Sequence, residues 1–242
     1  MRLILSVLLV ILLADDAVAQ GMSVTIDDGA GGSLAIRSVQ LIVLITLLSL
    51  APGLAIMVTC FPFIVTVLAI LRQALGLQQS PPNMLLVTLA LFLTWFVMEP
   101  TFRAAWEAGG APFAAGEATP EEAFNAAMVP FRSFMSARLD PETFDRLAGL
   151  RPDIVVPDNI EDTQLSILVP SFLLSEIARA FQVGFLVFIP FLIIDLVVAA
   201  VLMSMGMMMV PPAIVSLPFK LSFFVIADGW SLLAESLVRG YF

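Results

Sequence analysis

Residues 184–220 read GFLVFIPFLIIDLVVAAVLMSMGMMMVPPAIVSLPFK. Two apolar runs flank a break, Gly206-Met207-Met208-Met209-Val210-Pro211-Pro212. Glycine tolerates backbone conformations that end a helix, and paired prolines fix φ and offer no backbone donor. Gly206, Pro211 and Pro212 therefore predict a reversal of the chain between two helices. Met207, Met208 and Met209 then stand at the apex of a helical hairpin. Unbranched thioethers at such a point can re-pack around an irregular object, and they read also as simple filler of a core gap.

Working outward, the whole chain shares the apolar character of this stretch. It is 60% hydrophobic and 13% charged, with a mean hydropathy of +1.02. A water-soluble domain of that composition would expose large apolar patches, so the expected class is an integral membrane protein. The net charge is -9 and the basic residues are scattered singly, which excludes a nucleic-acid footprint. Histidine is absent and Cys60 is the single cysteine. The commonest general base, the commonest metal ligand and any thiolate cluster are thereby missing, so no catalytic residue, metal or cofactor is expected and the chain reads as non-enzymatic.

From the N-terminus, Met1-Arg2, the apolar run LILSVLLVILL and Ala17-Val18-Ala19 have the three parts of a secretory signal. Residues 1–19 are expected to be a signal peptide cleaved after Ala19, with a retained first membrane helix as the alternative. The Gly- and Asp-rich residues 20–33 read as a disordered exported leader. Residues 34–99 read as N-terminal hydrophobic helices. No charge falls between Arg37 and Arg72, and one straight helix of that length would reach roughly 51 Å against a hydrocarbon core of about 30 Å. Pro52-Gly53 and Pro62 are expected to interrupt it, giving one helix over 34–50 and another to about residue 75. A second apolar segment covers 84–98. Residues 100–183 are richer in acidic than basic residues and read as a polar exported-side loop with amphipathic helices at 121–138 and 160–181. Residues 184–242 form the C-terminal hairpin with its methionine loop, continuing as an apolar helix that carries Asp228. The expected fold class is all-α, built of integral membrane helical hairpins.

Charges inside the apolar runs need partners, because a charge at the centre of a bilayer costs at least about 2.5 kcal/mol. Asp195 precedes Gly206 and Lys220 follows Pro212 by comparable lengths of helix, so the two lie at similar depth on opposite arms. Asp195, Lys220, Asp228 and Glu176 are expected to pair within or between subunits. Such pairing either fixes helix register or takes part in opening a pathway. An intramembrane aspartyl protease built on Asp195 and Asp228 is disfavoured, because flanking motifs are missing and Lys220 would disturb a shared proton. A small-ion channel or transporter subunit remains a competitor, since broken helices suit that role, but no ion-specific polar filter is present.

These residues also carry a resemblance. FIPFLIIDL at 188–196, GMMMVPP at 206–212, LPFK at 217–220 and DGW at 228–230 resemble the C-terminal signature of the FliP family. These are the flagellar type III export-gate proteins, whose virulence-system relatives are called SctR. LRQALG at 71–76, PPN at 81–83 and ALFLT at 90–94 resemble the family's first half. The similarity spans about 41–99 and 168–241. It implies a homo-oligomer of five copies forming a ring with a central pore, assembled with FliQ and FliR in the bacterial inner membrane as part of the flagellar basal body. Unfolded flagellar proteins would pass through it. By the same resemblance, Met207, Met208 and Met209 would be the pore gasket, and Glu176 and Lys220 would belong to charged contacts between subunits. The signal sequence and long exported loop favour the flagellar branch over the virulence type III secretion branch. One departure is Phe61-Pro62-Phe63, where the family has Thr-Arg after the phenylalanine. A positive charge is lost there and a helix breaker gained.

Overall fold

In the computed structural model, residues 33–77, 80–151, 157, 159–207 and 209–241 are described. The expected signal peptide 1–19, the leader up to residue 32 and Met208 lie outside the described residues. All regular structure among the described residues is helical. The chain divides after Leu48 into two units. Of the first, the described part is the opening of helix α1 (Ser33–Met57), whose side chains at 38–46 are exposed.

The expected interruption at Pro52-Gly53 is absent: α1 runs through it to Met57, and the break falls at Val58-Thr59-Cys60. Thr59 makes this break. Its hydroxyl donates to the Ile56 carbonyl at 2.8 Å and accepts the Phe61 N–H at 3.3 Å, closing one helix and opening the next. Pro62 sits in the first turn of α2 (Phe61–Ala74), where a missing N–H costs nothing because that donor has no partner within the helix. The proline that departs from the family pattern is thus a helix starter.

Helix α2 has 14 residues, roughly 21 Å, too short to cross a bilayer. Instead it is the buried centre of the second unit. Phe63, Ile64, Val67, Leu68, Leu71 and Ala74 are all buried along it. They pack with Ala90 and Met98 of α3 (Asn83–Ala105), Ala180 and Phe191 of α7 (Leu165–Ser204), Phe224 of α8 (Pro212–Ile226) and Leu237 of α9 (Gly229–Arg239). Gly184 permits the approach of α7, since a Cβ there would lie 2.3 Å from Ile70 Cδ1. Arg72, near the end of α2, donates to the Asn83 side chain and holds the turn into α3.

Among the described residues, most of the stretch 100–183 is helical, and the helix expected at 121–138 is present. Helix α3 continues through Pro100 to Ala105, into a π-helical turn at Trp106–Gly110 and the short α4 (Ala111–Ala114). Helices α5 (Pro120–Arg138) and α6 (Pro141–Gly149) then pack on the first half of α7. Met135, Leu139, Phe144, Ile167, Leu168 and Phe172 form a second buried cluster there. Arg132 fastens α5 to the segment entering α7 by donating to the carbonyls of Glu161 at 2.9 Å and Thr163 at 2.6 Å. Helix α7 has 40 residues, so the boundary drawn between 183 and 184 falls inside a continuous helix that contains Pro170 and Pro190.

Among the described residues, three helical stretches are long and apolar enough to cross a membrane: Ser38–Met57, Asn83–Ala114 and Leu165–Ser204. Helices α8 and α9 make a fourth if counted together across their 62° bend. Asp228 occupies that bend with φ 47° and ψ 48°, a left-handed conformation that aspartate tolerates better than most residues.

The polar part is pinned by two N-terminal caps. Glu122 accepts from the Thr119 backbone at 2.9 Å and hydroxyl at 2.7 Å, which holds its carboxyl below the ordinary 4.5. Asp140 accepts from the Thr143 hydroxyl at 2.7 Å and backbone at 2.9 Å, which holds its carboxyl below the ordinary 3.8. Both groups are depressed in the folded chain, so the caps are at full strength above those ordinary values and weaken as pH falls through the lower, folded ones. Amide exchange in the first turns of α5 and α6, taken relative to α2, should accelerate as pH drops below about 4. Glu122→Gln should flatten that dependence for α5; a wild-type ratio that is flat with pH would contradict it.

Candidate functional site

The C-terminus of α7 ends by a specific backbone device. Gly206 has φ 73°, its N–H donates to the Met203 carbonyl at 3.1 Å, and the Met207 N–H donates to the Leu202 carbonyl at 3.0 Å. This paired closure needs the left-handed residue in the middle, where a glycine carries no steric penalty. Five residues after Gly206, Pro211 precedes α8 and Pro212 occupies its first turn. Gly206 thus closes one arm and the prolines open the other. Between them Met207 is 45% exposed and Met209 97% exposed. Met203 and Met205, on the last turn of α7, are exposed as well and extend the thioether surface beyond the three residues that the sequence singled out. Below the apex an apolar cleft of about 580 Å³ is lined by Val201, Met205 and Met207 on one side and Val215 and Phe219 on the other.

The arms are joined by a polar junction at Lys220. Its ammonium lies 2.6 Å from Asp195 Oδ2 and donates at 3.0 Å to the carbonyl of Ala74, at the end of α2. Ser216 Oγ, one turn earlier on α8, donates at 2.6 Å to Asp195 Oδ1. The Lys220 side chain is 6% exposed, so its charge is held by protein groups in place of water. It also meets the negative end of the α2 dipole, where a cation is favoured.

Glu176 belongs to a second junction. It is fully buried, accepts from Arg138 Nε at 3.1 Å and receives the Tyr241 hydroxyl at 2.5 Å. Arg138 also donates at 2.6 Å to the Gly240 carbonyl, and its guanidinium lies 3.9 Å from the centre of the Tyr241 ring. Phe134 stacks on Tyr241 and Phe63 meets its edge. Burial first, and then the Glu176 charge, push the Tyr241 phenol above its ordinary range, so it stays a donor.

Of the four charges expected to pair, Asp195 and Lys220 pair with each other, while Glu176 pairs with Arg138, which was not among them. Asp228 joins neither: it is exposed at the α8–α9 bend, and no ion pair of its side chain is seen among the described residues. Both pairs close within one chain. Sequence reasoning missed Tyr241 as a partner of Glu176 and gave Arg138 no role. The only available signal was that Glu176 sits in an apolar helix and must find a donor somewhere.

If the Lys220 junction is a coupled unit, Lys220→Met and Asp195→Asn should not add. Each single change leaves a partner behind, whereas the double change removes both. Thermal unfolding in detergent should give a coupling of about 0.5–3 kcal/mol in a double-mutant cycle. Strict additivity would mean that the pair contributes only as two independent surfaces.

Comparison with known proteins adds an independent line. The FliP family model matches residues 44–237. The flagellar biosynthetic protein FliP of Caulobacter vibrioides is 52% identical over 225 residues, 93% of this chain and 84% of that protein. The proteins of the same name from Agrobacterium fabrum and Bacillus subtilis are 46% and 45% identical, covering 87% and 84% of this chain and 86% and 92% of theirs. The match takes in α2, the Lys220 junction and the methionine apex within one continuous alignment, and the chain belongs to the FliP family.

Proposed function

We propose that this chain is a channel-forming subunit of the flagellar protein export gate, non-enzymatic, seated in the bacterial inner membrane and assembled in several copies with FliQ and FliR. The observation that carries this reading is the exposed thioether surface at Met203, Met205, Met207 and Met209, presented at the end of a hairpin whose arms are pinned by Lys220. An apolar surface that a single chain leaves open is stabilised when copies bring it together. Family membership supplies the flagellar context.

Methionine suits a seal that must open for polypeptide. It has three rotatable bonds, no branch and no hydrogen-bonding demand that would bind cargo tightly, so a ring of such side chains can close against ions and deform around an unfolded chain. The pinned arms matter equally. Side chains can be soft only if the helices that carry them hold their places, and the Asp195–Lys220–Ser216 contacts fix those helices about 16 Å from Gly206 along α7. The copy number of five, the pairing with FliQ and FliR and the passage of unfolded flagellar subunits belong to this proposal.

Changing Met207, Met208 and Met209 together to alanine should leak ions across the membrane while the assembly still forms. Membrane conductance or dissipation of an ion gradient in cells reads the first, and gel mobility of the detergent-extracted complex reads the second. Normal export with no leak would assign the apex to scaffolding.

A further inference from the structure

Helix α7 carries three charged residues past its first turns, Glu176, Arg179 and Asp195. Two of these are satisfied within the chain, by Arg138 and Lys220 respectively. Arg179 is exposed, and among the described residues its guanidinium has no hydrogen-bonded or ion-paired partner. Glu176 is engaged by Arg138 and Tyr241, and Asp140 by Thr143, with Arg179 acting on Asp140 only as the weakest of several influences. An exposed guanidinium on a helix long and apolar enough to cross a membrane is free to take an anion from outside the chain.

Arg179 also stands at one end of a cavity of about 470 Å³ between α7 and α9. Arg179, Val183, Val187 and Phe191 recur every four residues along one face of α7 and line one wall for roughly 18 Å. Leu233 and Leu237 of α9 form the facing wall, and no carboxylate lines the space. The cavity is thus a long apolar slot with a positive end. Its apolar walls suit an acyl chain, and its positive end suits an anionic headgroup.

We propose that this slot is a binding site for an anionic phospholipid, with one acyl chain lying between α7 and α9 and the phosphate on Arg179. Arginine presents a planar fork that matches phosphate oxygens, and basic pockets between membrane helices hold anionic headgroups by the same chemistry. The site does not depend on the gating role of the methionines. It adds a lipid requirement at the back of the hairpin, against the arm that carries Asp195.

The test uses the full chain purified in mild detergent and equilibrated with equal amounts of phosphatidylglycerol and phosphatidylcholine bearing the same acyl chains, read by native mass spectrometry. Phosphatidylglycerol should be retained about fivefold over phosphatidylcholine, the preference expected from one arginine near a lipid phosphate. Arg179→Gln should bring the two to parity, Arg179→Lys should keep most of the preference, and Val187→Trp, which fills the slot, should lower retention of both. Equal retention by the unaltered chain, or an unchanged preference in Arg179→Gln, would overturn the proposal. So would efficient crosslinking between copies from a photoreactive benzophenone side chain at position 187, which would assign the slot to a second copy of this chain.

Discussion

A single ammonium group holds the second unit of this protein in register. Lys220 is drawn out of water and must be satisfied from within. It finds the Asp195 carboxylate on α7 and the Ala74 carbonyl at the end of α2, while standing itself on α8. Three helices are thereby tied at one point, and Ser216 removes the remaining freedom of the carboxylate. Breaking one partner of a largely buried pair is far more costly than replacing both, so the junction resists partial opening. The hairpin arms cannot slide past one another while it is intact, and the apex they carry inherits that rigidity.

The same constraint explains why α2 is buried. A 14-residue apolar helix cannot span a bilayer, yet it cannot lie in water either. Its solution is to be covered by the longer helices α3 and α7 and by the α8–α9 pair, with Thr59 satisfying its first donor and Lys220 one of its last acceptors. The longer helices then keep their own outer faces apolar and uncovered, as Phe185, Leu186, Leu196 and Val197 on α7 illustrate. In a single chain that surface has no occupant. Lipid and neighbouring copies are the two media that can take it.

Much of this was legible from the residues because the signals were local. Gly206, Pro211 and Pro212 act through their own backbone chemistry, and their reading as a chain reversal needs no knowledge of the rest. The all-helical class followed from long apolar runs, and the amphipathic pattern at 121–138 became α5, although the cap at Thr119 that starts it was not read. What was not legible depended on tertiary context. Pro52-Gly53 looks like a break, but α1 passes through it, whereas the true interruption is set by a threonine hydroxyl three residues before Pro62. The boundary at residue 183 followed a change of polarity, yet polarity reports what surrounds a helix and not where it ends; α7 simply passes from one environment to another. The partners of Glu176 could not be inferred, since Arg138 reaches it across 38 positions of sequence and Tyr241 across 65.

The central claim is that the methionine apexes of neighbouring copies face one another around a shared axis. Met209, 97% exposed and at the tip, is the position to interrogate. In a Cys60→Ala chain bearing Met209→Cys, mild oxidation of intact membranes should trap covalent dimers through the tip in high yield. Absence of dimers, with the same cysteine freely modified by a lipid-soluble maleimide, would put the tip in lipid and contradict the claim.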